Sequence, residues 1–406
     1  MPKKNIYIVS HAGGSPYHGP NMRSYYLAKK MLEYGHSVNI VSSSYFHKYY
    51  KLPKVEKSVT LEEIDGVKYR WIKTLKYPKR NYKQILNQFD FAYKLWKFRK
   101  SIFDKNADVV IFSSPPPISF LALIFIKKNI GFPVIFEARD IWPMGILGIG
   151  KVSSRHPYVK LLSFIEKMAY KYAEAIVSVK KGDVNYFEKN FPDITHKYHY
   201  IPNGYYSNGI NKKKTIVKNS HNESIFGYIG AMSNVYNLDL ILDAAKVLQN
   251  ENVNAKFILV GGGEDQERLK IKKHKLNLNH VEFIGNIPKN EVMSYLINFD
   301  IAIISLQSTP AYKYGVSANK MFEYMYAKKP ILAIYDTDFD DVEDAECGIT
   351  LRNPNTKQLV EKMKELIAME EQALLEMGNK GYQYYLQHYT FDIIGKKYEA
   401  LIQKLT

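Results

Sequence analysis

Short apolar runs bounded by Gly, Pro or Asp recur along this chain, and most lead into a stretch of helical period. NIYIVS (5–10) leads through a Gly-containing loop to a helical stretch, Arg23–Tyr34, then Gly35-His36 and SVNIVSS (37–43). Strand, loop, helix, turn and strand in that order make the βαβ unit of a parallel sheet. The pattern returns in DVVIFSS (108–114), a helix over 118–128, VIFEARD (134–140) and EAIVSV (174–179). A second series follows the turn Ile201-Pro202-Asn203-Gly204 and the lysine-rich stretch Asn208–Glu223. It comprises SIFGYIGAM (224–232), KFILVGGG (256–263), VEFIGNI (281–287), IAIISL (301–306) and PILAIY (330–335), with helices expected over 237–249, 264–275, 289–297 and 319–327. Continuous apolar runs of this length suit strands covered on both faces. The expectation is an α/β chain of two doubly wound, Rossmann-like domains facing a cleft, over 1–203 and 204–385. A helix over 386–406 is expected to pack back toward the first.

This architecture excludes several classes. Ile118–Ile126, the longest apolar run, is far short of the roughly 20 residues that span a bilayer. Met1-Pro2-Lys3-Lys4 ahead of NIYIVS reads as the approach to a buried first strand rather than a secretory leader. One cysteine, Cys347, allows no intrachain disulfide and fits a reducing cytoplasm. Lysine and arginine number 57 against 40 aspartate and glutamate, a net charge of +17, which favours anionic partners. The basic residues are scattered rather than gathered with aromatics on one groove, so nucleic acid is not expected among them.

In open parallel sheets ligands bind beyond the carboxyl ends of the strands, so loops after strands are the places to search. His11-Ala12-Gly13-Gly14-Ser15 follows the first strand without dinucleotide or P-loop spacing, and reads equally as a tight turn or a ligand loop. Gly261-Gly262-Gly263-Glu264 leaves the same two readings open. The strongest segment is Tyr314–Glu323, where a Gly/Ser/Asn loop enters a helix whose first N–H groups make an anion site. Lys320 adds a positive charge and Glu323 lies about one turn along. Amides with a lysine suit a diphosphate, and a carboxylate suits paired sugar hydroxyls. Glu137-Ala138-Arg139-Asp140 ends an apolar strand with charges that could bind polar substrate groups or pair with one another. Tyr77–Lys105 is basic, with Leu86, Phe89, Tyr93, Trp96 and Phe103 at helical spacing. Such a helix either packs its stripe on the core or lies on an anionic bilayer.

Together these segments resemble the retaining GT-B glycosyltransferases of family 4. The opening HAGGSPYHGPNMRSYYLAKKMLEYGHSVNIVSS is similar to that family's first βαβ unit, IPNG (201–204) to its domain junction, and FILVGGGED with VEFIGNIPKNEVMSYLINFDIAI to its nucleotide-binding half. SSPPPIS, FEARDIWP and GVSANKMFEYMYAKKPIL resemble the branch that builds O-antigen and capsule sugars, N-acetyl-fucosamine transferases among them. The resemblance implies that Glu323 binds the donor ribose, and that Ser317, Ala318, Asn319 and Lys320 cradle the diphosphate and donor sugar. Ile287 would meet the base, with Gly230 and Gly14 also on the donor side. Arg139 falls where many members have a histidine beside the donor sugar, with Asp140 after it and Glu137 in the same catalytic group. There are three departures from the family pattern: Gly315 replaces the first motif glutamate, Ala231–Tyr236 lacks the usual Arg and Lys, and Arg139 replaces the histidine.

The implied reaction is retaining transfer of a sugar, N-acetyl-fucosamine or another N-acetyl-hexosamine, from a UDP-sugar to a polyprenyl-diphosphate-linked sugar. It would take place at the cytoplasmic face of the cell membrane, with the enzyme peripheral to it and no metal or other cofactor. A non-catalytic sugar-nucleotide-binding subunit and a transferase with a soluble acceptor remain as alternatives.

Overall fold

The computed structural model describes residues 2–19, 21–77, 82–103, 106–147, 153–207 and 223–406. The lysine-rich stretch after Ser207, up to 222, lies outside the described residues, as do 78–81 and 104–105 of the basic segment. Two compact units divide the chain, Met1–Asn203 with Phe391–Thr406, and Gly204–Thr390.

The amino-terminal unit runs β1 (Asn5–Ser10), α1 (Arg23–Glu33), β2 (Ser37–Ser43), β3 (Val59–Ile64), β4 (Val67–Ile72), α2 (Tyr82–Lys97), α3 (Arg99–Ile102), β5 (Val109–Ser113), α4 (Phe120–Ile130), β6 (Val134–Ala138), α5 (Met144–Leu147), α6 (Pro157–Tyr172), β7 (Ala175–Ser178), α7 (Asp183–Asn190) and β8 (Tyr198–Tyr200). Its sheet has the order β3-β4-β2-β1-β5-β6-β7-β8. All neighbours are parallel except the edge pair β3 and β4. Every residue of β5 and β6 is buried, as a parallel strand between two helical layers requires. One core joins Tyr7, Val9, Phe112 and Phe136 of the sheet to Phe91 and Leu95 of α2 and Leu123 of α4.

The β3–β4 hairpin is absent from the expectations above. Its turn, Asp65-Gly66, has positive φ at both residues, 51° and 84°, as a two-residue hairpin turn demands. The dipeptide Asp-Gly between VTLEEI and VKYRWI carried that information.

The second unit continues with β9 (Ser224–Ile229), α8 (Leu238–Asn250), β10 (Ala255–Val260), α9 (Gln266–Lys275), β11 (Val281–Gly285), α10 (Val292–Leu296), β12 (Ile301–Ser305), α11 (Asn319–Tyr326), β13 (Ile331–Ile334), α12 (Asp341–Asp344), β14 (Gly348–Leu351), α13 (Thr356–Ala368) and α14 (Glu371–His388). Its sheet is wholly parallel, in the order β11-β10-β9-β12-β13-β14. The strand order reverses between β1 and β5 in one unit and between β9 and β12 in the other, the crevices where such sheets take ligands.

The segment expected to close the chain from 386 divides. α14 continues to His388 in the second unit, and α15 (Phe391–Leu405) belongs to the first, packed on α1. Polar contacts hold it there: Tyr398 donates to Glu137, His36 Nε2 meets Glu399 Oε2 at 2.6 Å, and Lys30 meets Asp392 at 2.7 Å.

Candidate functional site

In the second unit the site forms around the start of α11. Ala318, extended at φ −84° and ψ 122°, turns the loop into the helix, and Asn319 and Lys320 head it. A helix start directs amide N–H groups outward and carries partial positive charge. The Lys320 ammonium does not reach solvent: Nζ lies 4.0 Å from the ring centre of Tyr228 and 4.3 Å from that of Tyr236. It is buried and has no hydrogen-bond partner. Burial pulls its pKa down to about 7, with the Glu323 charge acting the other way. Two aromatic faces stabilise a cation, yet leave all three ammonium protons unused for hydrogen bonding.

Gly230, after β9, makes room for this lysine. Its φ is 156°, and a Cβ built there would lie 2.6 Å from Lys320 Nζ. Gly261 packs as closely, since its Cβ would fall 2.0 Å from the Gly230 carbonyl oxygen. The Gly261–Gly263 run therefore has a packing reason of its own. The loop that lacks the family's Arg and Lys, Ala231–Tyr236, supplies Tyr236 to the lysine's cage instead.

Glu323 stands one turn along α11, almost fully buried at 4 % exposure, and accepts from Lys289. Lys289 begins the 3-10 turn after β11 and is itself half exposed. Ile287, two residues earlier, is half-buried against the core of the unit. Ser317 and Ala318 are partly buried and Asn319 is exposed. The structure thus gathers Lys320, Glu323 and Gly230 tightly. It adds three residues that sequence reasoning did not single out: Lys289, Tyr228 and Tyr236. Lys289 falls in the same loop as Ile287, after a strand end, which was the available signal.

In the amino-terminal unit the charged residues after β6 separate. Glu137 is buried and fully engaged: Oε2 accepts from Arg23 Nε at 2.8 Å and from the Tyr398 hydroxyl, Oε1 from Ser113 Oγ at 2.6 Å. Burial would raise its pKa, but Arg23 and Arg139 outweigh it and hold the carboxyl below the usual range. Arg23 also donates to the carbonyls of Pro202 at 2.6 Å and Ile201 at 3.2 Å. This corrects the expectation that Glu137 offers a charge to substrate, since its ion pair and hydrogen bonds occupy both oxygens. Arg139 keeps its backbone N–H on Ser114 Oγ at 3.4 Å, while its Nε is buried without a hydrogen bond. Asp140 is exposed. Gly14 uses both backbone groups inside the unit: its N–H donates to Asn21 and its carbonyl accepts from the Tyr69 hydroxyl at 2.8 Å. Glu166 is buried, accepts from the Trp142 N–H at 2.6 Å and so anchors the loop after β6; burial raises its pKa to about 8.

The basic helix of the sequence is α2 with α3. Its core-facing residues are Phe91 and Leu95, whereas Leu86, Phe89, Tyr93 and Trp96 are exposed and Phe103 is buried.

Comparison with known proteins divides at the same place. Residues 17–206 match the family model for Glycosyltransferase Family 4, and residues 210–384 match that for Glycosyl transferases group 1. An uncharacterized glycosyltransferase of Methanocaldococcus jannaschii is 27 % identical over 165 residues. That match covers 40 % of this chain and 43 % of the relative, so the chain spans less than half of that relative's length. Sucrose-phosphate synthase of Thermosynechococcus elongatus superposes with a TM-score of 0.74 at 14 % identity, covering 99 % of both chains. WaaG, a glycosyltransferase involved in lipopolysaccharide biosynthesis, gives 0.68 at 14 % identity over 99 % of both chains. Anabaena HepE in complex with UDP and glucose gives 0.67 at 14 % identity, over 98 % of this chain and 99 % of that one. At these identities the structural likeness concerns the fold.

Proposed function

From its GT-B fold and the match of its two halves to the Glycosyltransferase Family 4 and Glycosyl transferases group 1 models, we propose that the chain is a glycosyltransferase of that kind, which transfers a sugar from a UDP-sugar with retention at the anomeric carbon. The observation that carries this reading is the Lys320 ammonium, buried at the head of α11 without a hydrogen-bond partner and one turn from Glu323. A donor diphosphate would give the ammonium and the helix amides the anion they lack. Glu323 would take the ribose hydroxyls, exchanging Lys289 for them. As the bond from the anomeric carbon to the diphosphate oxygen breaks, negative charge grows on the leaving UDP, where a fixed cation lowers the barrier. Anabaena HepE, solved with UDP and glucose, supports a UDP donor by fold analogy.

On the acceptor side, Arg139, with its unsatisfied Nε, and Asp140 are the residues proposed to meet the acceptor or the transferred sugar. The net charge of +17 supports an anionic acceptor, which we take to be a polyprenyl-diphosphate-linked sugar at the inner membrane face, with an N-acetyl-hexosamine such as N-acetyl-fucosamine as the sugar moved. The test is turnover of a panel of labelled UDP-sugars by the purified chain with a lipid-diphosphate acceptor. Donor binding without turnover of any of them would favour the non-catalytic subunit instead.

A further inference from the structure

Helix α4 packs between α2 and α6, and the three form one layer over the amino-terminal sheet. The outer side of that layer is apolar to an unusual degree. Leu86, Phe89, Tyr93 and Trp96 of α2 are 49 %, 42 %, 53 % and 42 % exposed, Phe125 of α4 is 58 % and Phe164 of α6 is 54 %. On α2 these residues follow the spacing 86, 89, 93, 96, a single helical stripe on the side away from Phe91 and Leu95. Exposed large apolar side chains on three helices packed side by side mark an interaction surface.

The charge on the same helices selects the partner. Their exposed cations include Lys83 and Lys97 beside the α2 stripe, Lys128 on α4, and Lys160 and Lys167 on α6, and α3 after α2 adds Lys100. The acids on these helices are Asp90, paired with Lys94 at 2.9 Å, and Glu166, which is buried. The exposed charge of the layer is therefore positive throughout. Amphipathic Trp and Tyr with bulky Phe and Leu, rimmed by lysine, match the boundary of an anionic bilayer, where rings settle among headgroups and cations stay in water.

We propose that the outer face of α2, α4 and α6 docks on an anionic lipid bilayer, with Phe125 and Phe164 entering the headgroup boundary beside the α2 stripe. The proposal deepens the lipid-linked acceptor reading, and rests on it for its purpose but not for its geometry. The full chain is mixed with phosphatidylglycerol-containing vesicles and with neutral phosphatidylcholine vesicles, and Trp96 emission is followed with brominated lipid as quencher. UDP affinity is measured on the same samples. The expected result is sedimentation with the anionic vesicles only, and quenching that disappears in Trp96→Phe. The pair Phe125→Ser and Phe164→Ser should weaken binding roughly tenfold while UDP affinity is unchanged. Replacing Lys97, Lys100 and Lys167 with glutamine should weaken low-salt binding by a similar factor. Vesicle binding that is absent, or equal in both variants and the parent, overturns the proposal. So does capture by polyglutamate or DNA as tight as capture by vesicles, because that would make the layer a general polyanion surface. Vesicle binding as described with no affinity for UDP would uphold the docking face and sink the donor reading, so the two failures are distinguishable.

Discussion

Lys320 and Glu323 carry opposite demands within one turn of α11. Glu323 is buried and accepts from Lys289; on the proposed reading, in which ribose hydroxyls replace that lysine, Glu323→Ala should remove two charge-assisted hydrogen bonds. UDP affinity should fall about tenfold to several-hundredfold, read by calorimetric titration, and an unchanged affinity would sink the assignment. Lys320→Met keeps the shape of the aromatic cage and removes the charge. It should weaken UDP far more than uridine, and equal losses for both would refute a diphosphate partner. The pH dependence has a definite sign. With a pKa brought by burial to about 7, the ammonium is largely neutral above that pH and charged below it, and a bound diphosphate favours the charged form. UDP binding should therefore strengthen as pH falls from 8.5 toward 7 and take up protons, with heats that depend on buffer ionisation. Uridine, lacking phosphate, should show neither effect. Lysine and glutamate three apart on one helix were legible in the sequence because helical spacing is local. Lys289 and the two tyrosines were not, because they reach α11 from other strand ends of the sheet.

Among elements, α15 shows how a distant segment can be fixed by one buried ion pair. Tyr398 on α15 and Arg23 on α1 share Oε2 of Glu137, and Arg23 also holds the carbonyls of Ile201 and Pro202. Replacing the carboxylate leaves a buried guanidinium uncompensated, so Glu137→Gln should cost about 3–5 kcal/mol, whereas Tyr398→Phe should cost about 1–2 kcal/mol. Hydrogen exchange of β6 and α15 would localise the loss, and full protection in Glu137→Gln would show the network to be dispensable. Because the Glu137 pKa is lowered in the folded state, its contribution is present above the usual carboxylate range and is lost on acidification below it. The same network explains a limit of sequence reading. An acidic residue at a strand end looks alike whether it faces substrate or an arginine 114 positions earlier. The β3–β4 hairpin was missed for a different reason: in the edge strand β3 only the last residue is buried, and β4 intersperses exposed Lys68 and half-buried Arg70 among buried residues, so neither has the continuous apolar run that revealed the others.

At the scale of the whole molecule, the two α/β series were legible because parallel strands between helical layers must be apolar throughout, and sequence shows that directly. The balance of charge in the second unit is a tertiary matter, and it supports a further expectation about metal. A leaving UDP needs positive charge, which a divalent ion supplies in many transferases by bridging an Asp-x-Asp pair and the diphosphate. Here the sequence offers such acids at Asp338–Asp341, yet Asp340 Oδ1 already caps α12, accepting from the N–H of Val342 at 2.9 Å and from the Tyr335 hydroxyl at 2.7 Å. The chain's own positive potential stands at the proposed donor position instead: the Lys320 ammonium, the partial charge of the amides heading α11, and Lys289, which would be freed if ribose took its place on Glu323. Turnover should accordingly survive excess EDTA. UDP affinity should weaken only modestly as salt rises, because a buried cation is screened less than an exposed one. If chelator abolishes activity and magnesium or manganese restores it, the chain's own cations do not suffice. In that case the Lys320 variant should lose little, because the metal would carry the diphosphate. If activity is indifferent to chelator while Lys320→Met abolishes it, the lysine is doing the metal's electrostatic task.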